Sequence, residues 1–171
     1  MATLDNYKAL RDEIDAATIQ LWDEHQSNMA CKKGCDKCCL NFDVFPIEFD
    51  YIKQQVEALY PDVLNDSAPA EAGEQCFFLK EHQCTIYKAR PIICRTHGYP
   101  LLYMNEAGDQ WELSHCELNF TSVDEDYFHE DNCYAQDTYN SRLFMMNKEY
   151  IKTAHPDKGE FDLIPLVELL K

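Results

Sequence analysis

The feature that most constrains this chain is the run Cys31-Lys32-Lys33-Gly34-Cys35-Asp36-Lys37-Cys38-Cys39, which holds four of its nine cysteines. The other five follow at Cys76, Cys84, Cys94, Cys116 and Cys133. Packing alone gives no reason to concentrate thiols like this, so they must be disulfides, metal ligands or nucleophiles. At 171 residues the chain can bury a core without staples, and the cysteines are not needed as scaffolding. Met1–Gln20 is amphipathic and acidic and lacks the layout of a secretory leader. No apolar run approaches the ~18 residues of a membrane span. The expected location is cytoplasmic, where thiols stay reduced. An odd number of cysteines and the adjacency of Cys38 and Cys39 also fit a disulfide framework poorly.

Charge narrows the partners. A formal net charge of −16 argues against a nucleic-acid backbone or an anionic membrane surface. Its distribution is uneven. From Thr96 to Ser141 there is no Lys or Arg, whereas Glu106, Asp109, Glu112, Glu117, Asp124, Glu125, Asp126, Glu130, Asp131 and Asp137 all fall inside. Lys32, Lys33, Lys37, Lys80, Lys88, Arg90 and Arg95 are instead interleaved with the cysteines. Thiolates are tolerated side by side only if metal ions or cationic side chains offset their charge.

The hydrophobic periodicity predicts a helix over residues 4–22, with Leu4, Tyr7, Leu10, Ile14, Ala17 and Leu21 on one stripe and Thr3 as N-cap. A second helix is expected from Pro46 to Leu59, burying Phe49, Ile52, Val56 and Leu59. Residues 62–75 read as an exposed loop. Two hairpins follow. The first joins Cys76–Leu79 to Cys84–Tyr87, with a thiol starting each strand, and the second joins Leu101–Met104 to Trp111–Ser114. Between them Pro91 opens a short helical turn carrying Cys94. A long helix is predicted over 131–153 and a short one over 165–170. The expected fold is a small α+β single domain, helices packed around short β-hairpins and a cysteine-rich metal site. It spans 1–171, with a motif core over 31–116 and flanking helical segments over 1–30 and 117–171.

Soft thiolates at two- and three-residue spacing converge readily on Zn²⁺ or on an iron–sulfur cluster. Consecutive side chains diverge, so Cys38 and Cys39 do not both reach one ion with ease. Either two sites or one multinuclear site is implied, with Cys38 and Cys39 feeding different metals. The six histidines show no paired ligand spacing and read as surface or capping residues, His97 and His115 being nearest the motif. Cys133 reads as a small buried hydrophobe.

Cys31-x3-Cys35-x2-Cys38-Cys39, then Cys76-Phe77-Phe78-Leu79, then Cys84-Thr85-Ile86-Tyr87-Lys88-Ala89-Arg90-Pro91-Ile92-Ile93-Cys94-Arg95, resembles the YkgJ family of cysteine-cluster proteins, the CxxCxxCC zinc- or iron-chelating domain. Cys116 matches a cysteine that the family adds after its next hairpin. The resemblance covers roughly residues 31–116 and leaves out the flanking helices and Cys133. It implies Cys31, Cys35, Cys38, Cys39, Cys76, Cys84, Cys94 and Cys116 as metal ligands. It also implies Arg90 and Arg95 as cofactor-binding residues that donate to cluster sulfurs or to carboxylate neighbours.

Three functions are consistent with this reading. One is an iron or iron–sulfur protein with oxidoreductase-like redox activity. A second is a structural zinc-chelating module whose acidic surface serves a protein partner. The third is a cluster-dependent S-adenosylmethionine methyltransferase, since Cys31-x3-Cys35-x2-Cys38 coincides with the cluster spacing of radical S-adenosylmethionine enzymes, and flagellin lysine methylases resemble the same family. Against the third, the chain is short for a partial β/α barrel and its predicted elements do not alternate.

Overall fold

Thr3 starts the first helix as expected, its backbone N–H bonding Asn6 Oδ1 at 2.9 Å. This computed structural model describes residues 2–65 and 75–170. Helix α1, Leu4–His25, runs one turn longer than its apolar stripe predicts. Tyr7, Leu10, Ile14, Thr18, Leu21 and His25 are its buried residues, with Thr18 rather than Ala17 completing the face. Helix α2, Pro46–Leu59, has its proline in the first turn, where a missing N–H costs nothing. Its two sides are both buried. Phe49, Ile52 and Val56 enter one core cluster with Phe78, Ile86, Ile164 and Leu169. Ile47 and Tyr51 enter a second with Tyr7, Leu10, Ile14, Ile92 and Leu143. Leu59, expected in the core, is exposed, because the chain turns away at Tyr60.

The strands are short. Strand β1, Asp43–Val44, pairs antiparallel with β7, Ile164–Pro165, so the end of the chain returns to the start of α2. Strands β2, Leu79–Lys80, and β3, Gln83–Cys84, form the first hairpin. It is tighter than predicted: Cys76 lies before β2 and Cys84 ends β3. Its two-residue turn places Glu81 and His82 at φ 49° and 60°, the left-handed pair that matches the twist of a hairpin. Helix α3, Ile92–Thr96, follows with Pro91 at its N-cap, one position earlier than predicted. Strands β4, Leu101–Met104, and β5, Trp111–Ser114, form the second hairpin with its predicted boundaries.

Helix α4, Gln136–Ala154, begins five residues later than predicted. Tyr134–Ala135 instead form β6, which lies parallel to β4 and makes the three-stranded order β5-β4-β6. Helical backbone before residue 136 would break that pairing. Asn132, fully buried, holds the preceding turn by bonding Tyr127 O and the His129 N–H. The predicted last helix is a 3-10 turn over Leu166–Leu170. Most of the predicted 62–75 loop lies outside the described residues, and its start is a 3-10 turn over Pro61–Asn65. The fold class is α+β, as expected. No described helix is long and apolar enough to cross a membrane.

One buried carboxylate joins three elements. Glu48 on α2 accepts from the Tyr7 hydroxyl of α1 at 2.6 Å and from the Ile92 N–H that opens α3 at 2.8 Å. Burial pushes its pKa up, against the two hydrogen bonds that pull it down. The stability Glu48 provides is therefore full below the ordinary glutamate pKa and falls as pH rises through its raised folded value. Glu48→Gln keeps an oxygen for both donors and removes the ionisation. Its Tm is expected to rise relative to the parent as pH increases from 4 to 8, as checked by thermal melts across that range. Glu48→Ala orphans both donors and is expected to cost about 2–4 kcal/mol in denaturant titrations.

Candidate metal centre

The cysteine run folds as two successive tight turns. Cys35 N–H bonds Lys32 O at 3.0 Å and Cys39 N–H bonds Asp36 O at 3.0 Å. Gly34, at φ +95°, supplies the left-handed residue of the first turn. The run then lies against the start of the first hairpin. Cys76 N–H bonds Cys39 O at 2.9 Å, Leu40 bridges Gln75, and the Asn41 side chain bonds the backbone of Gln75 and Phe77. Cys39 is thereby laid beside Cys76. The β2–β3 pairing sets Cys84 opposite Leu79, and α3 presents Cys94. At the hairpin tip His82 Nδ1 stands 2.7 Å from Asp36 Oδ2, a bond that holds the Asp36 carboxyl below its usual range.

A second set of contacts draws in the other end of the motif. Asn119, 1% exposed, accepts from Ala30 N–H at 2.8 Å and donates to Gly98 O at 2.8 Å, with its Nδ2 also 3.4 Å from Cys31 Sγ. Its own N–H closes a turn onto Cys116 O at 2.9 Å, and Phe120 N–H bonds Asn28 O at 2.7 Å. The Cys116 turn is thus fastened to the segment that carries Cys31. Gly98 makes this approach possible: a Cβ there would lie 2.9 Å from Cys31 Sγ and 3.3 Å from Asn119 Nδ2, at a φ of +96°.

The thiols' electrostatic neighbours divide them into two groups. Burial pushes the Cys38 thiol up, and charges at Cys31, Cys35 and Cys116 push it further. Burial pushes Cys39 up to about 11, with Cys38, Cys76 and Cys84 adding to it. Cys94 is raised by burial and then by Cys76 and Cys84, and Cys84 by burial and Cys76. Apart from its sequence neighbour, the sulfurs acting on Cys39 are not those acting on Cys38. All nine cysteines are free thiols. Cys133 answers to burial and the Glu24 charge, outside both groups.

The cations are unequal. Arg90 stacks 4.1 Å over the Tyr87 ring, and its charge counters the upward shift of Cys84 and Cys94. Its Nε is buried with no hydrogen-bond partner. Arg95 points elsewhere, bonding Asp15 Oδ1 at 2.6 Å and the carbonyls of Arg90 and Lys88, and so fastens α3 to α1. His97 Nδ1 bonds Ile93 O, and His115 Nδ1 lies 3.1 Å from Cys116 O. His25 corrects the surface reading of the histidines. It is fully buried, its Nε2–H donating to Asn132 O at 2.7 Å, which leaves Nδ1 to accept from the Tyr127 hydroxyl at 2.8 Å.

Soft sulfur donors, with the orphaned Arg90 guanidinium N–H in the same part of the chain, form a donor set suited to a thiophilic cation once their protons are lost. Among the described residues no three Cys, His, Asp or Glu side chains stand where they could together hold a metal ion. Asn119, Asn41 and Gly98 escape sequence reasoning, since an isolated Asn or Gly in a loop carries no periodic signal.

A family model, CxxCxxCC, "Putative zinc- or iron-chelating domain", matches residues 30–117. An uncharacterized protein of Methanocaldococcus jannaschii is 37% identical over 67 residues, covering 34% of this chain and 37% of that relative's length. No solved structure matches the chain.

Gly98→Ala is expected to lower both Tm and metal content, because the new methyl meets Cys31 Sγ in a left-handed backbone. Asn119→Ala is expected to cost about 2–4 kcal/mol in denaturant titrations through its two orphaned backbone partners. Cys133→Ala is expected to leave metal content unchanged by elemental analysis.

Proposed function

Because the chain belongs to the CxxCxxCC family of zinc- or iron-chelating domains, we propose that it holds two thiolate metal centres. Cys31, Cys35, Cys38 and Cys116 form one, and Cys39, Cys76, Cys84 and Cys94 the other. The observation that carries this reading is the fastening of the cysteine run at two places, Cys39 O to the Cys76 N–H and the Cys31 segment to the Cys116 turn through Asn119, with which the electrostatic neighbours of Cys38 and Cys39 agree. Four thiolates close the first coordination shell of a tetrahedral ion or of an iron–sulfur cluster. The α-carbons of adjacent residues are ~3.8 Å apart, so the two centres are neighbours. Neighbouring iron or iron–sulfur centres give the protein an electron-transfer, oxidoreductase-like role, the metal supplying the one-electron chemistry. Arg90 stabilises the anionic second centre through its orphaned Nε–H. Arg95 acts indirectly, holding α3 and so Cys94 in place. The segments 1–30 and 117–171 pack with the 31–116 core as one domain.

Structural zinc is the second reading. It is favoured by the segments that bear the thiols, which are turns and two-residue strands with little regular structure of their own. A metal would supply the fastening that such short pairings lack. The methyltransferase reading loses support, since the described sheets have two or three short strands and no alternating β/α order.

Purification without oxygen, followed by elemental analysis, UV-visible and EPR spectra, tests the proposal. Iron with a cluster absorption and a reducible EPR signal is expected. Stoichiometric zinc in protein expressed with iron in excess, and no redox signal, would leave the structural role. Cys35→Ala and Cys84→Ala are each expected to retain about half of the metal and the double variant almost none, as two independent four-ligand sites require. Loss of all metal in either single variant would mean one shared site. Metal uptake must displace thiol protons. Proton release on titration with Zn²⁺ near neutral pH, and metal loss on acidification, are therefore expected in pH-stat measurements.

A further inference from the structure

Strand β5 is followed by a loop that carries the proposed metal ligand Cys116, and the strand's free edge and the loop's aromatic rings are not themselves among the proposed ligands. β5 is an outer strand of the order β5-β4-β6, bonded to β4 on one side. Among the described residues no strand pairs with its other side, and all four of its residues are exposed. Trp111 and Leu113 share one face of the strand by its period of two, at 57% and 38% exposure. Beside Leu113 opens a cleft of about 340 Å³ lined by Leu113, His115, Phe120, Val123, Asp124 and Phe128. Its walls are held by one another. His115 stacks on Phe128 with ring centroids 5.3 Å apart, and Phe120 meets each of them edge-on at 5.1 Å. Phe120 is anchored from behind by its N–H bond to Asn28 O.

Charge says what kind of group fits there. The cleft and strand lie within the Thr96–Ser141 stretch, which holds ten carboxylates and no Lys or Arg. Asp124 is an exposed cleft residue, and Glu112 sits on β5 itself. Of the carboxylates in that stretch, Asp137 accepts from the Met104 N–H and Asp109 from the Asn105 side-chain amide. Aromatic faces beside a carboxylate favour a cation, above all a planar guanidinium that can stack and pair at once. An open strand edge presents backbone N–H and C=O groups to a partner in extended conformation. An acidic surface repels nucleic acid, and a lone small amine would leave the strand edge unused.

We propose that β5 and the adjoining aromatic cleft dock an extended basic peptide of a protein partner. The peptide adds as a strand to the free side of β5 and places an arginine side chain in the cleft against Asp124. This reading is independent of which metal the cysteines hold.

The test uses the metal-loaded full chain, labelled with ¹⁵N, and an acetylated peptide of alternating Arg and Val about nine residues long, the reach of a long strand. Saturable binding is expected, with amide shifts confined to residues 101–128. Replacing every Arg by Glu is expected to abolish binding. Full N-methylation of the peptide backbone is expected to weaken it about tenfold or more, since it removes the hydrogen bonds of strand addition. Asp124→Asn and Phe128→Ala, with metal content and Tm unchanged, are each expected to weaken binding about three- to tenfold, the range of an exposed cation–π or ion pair. The proposal is overturned if the N-methylated peptide binds as well as the parent, which would mean non-directional charge attraction. It is equally overturned if the shifts spread over the whole acidic surface, or if no saturable binding occurs.

Discussion

Adjacent residues turn their side chains in different directions, and Cys38-Cys39 places that constraint at the end of the cysteine run. Cys31, Cys35 and Cys116 act electrostatically on the Cys38 thiol, and Cys76 and Cys84 act on Cys39 and Cys94. Burial and neighbouring sulfurs push the Cys38, Cys39, Cys84 and Cys94 thiols up, and a metal ion bound to the thiolates would offset this crowding of charge. The metal-chelating character of the family is the chemical counterpart of this crowding.

The gathering itself is the work of residues that are not cysteines. Asn41 aligns the cysteine run with the first hairpin, and Asn119 ties Ala30, Gly98 and the Cys116 turn together. Arg95 and Glu48 then fix α3, the carrier of Cys94, against α1 and α2. These are buried or half-buried polar groups whose partners lie in other segments, and removing one leaves donors or acceptors unpaired in a place where water cannot replace it. The centre is consequently supported by the whole helical frame.

Charge is unevenly distributed along the chain: Lys and Arg are interleaved with the cysteines in sequence, while Thr96–Ser141 carries carboxylates and aromatic rings without a Lys or Arg.

Sequence by itself determined the elements whose signal is local. The apolar stripe set α1, Pro46 and its following periodicity set α2, and Asn105–Gln110 between two apolar runs set the β4–β5 hairpin to its observed ends. Cysteine spacing announced the metal-chelating family, and the adjacency of Cys38 and Cys39 set the expectation that one ion does not use both with ease. Tertiary structure alone decided the rest. Strands β1, β6 and β7 are two residues long, too short to show a period, and exist because remote partners pair with them. The late start of α4, the burial of His25 and the roles of Gly98 and Asn119 likewise depend on neighbours 20 or more positions away. Which sulfur faces which group is a matter of how the loops close. Local propensity does not encode that closure, whereas the hydrogen bonds between segments do.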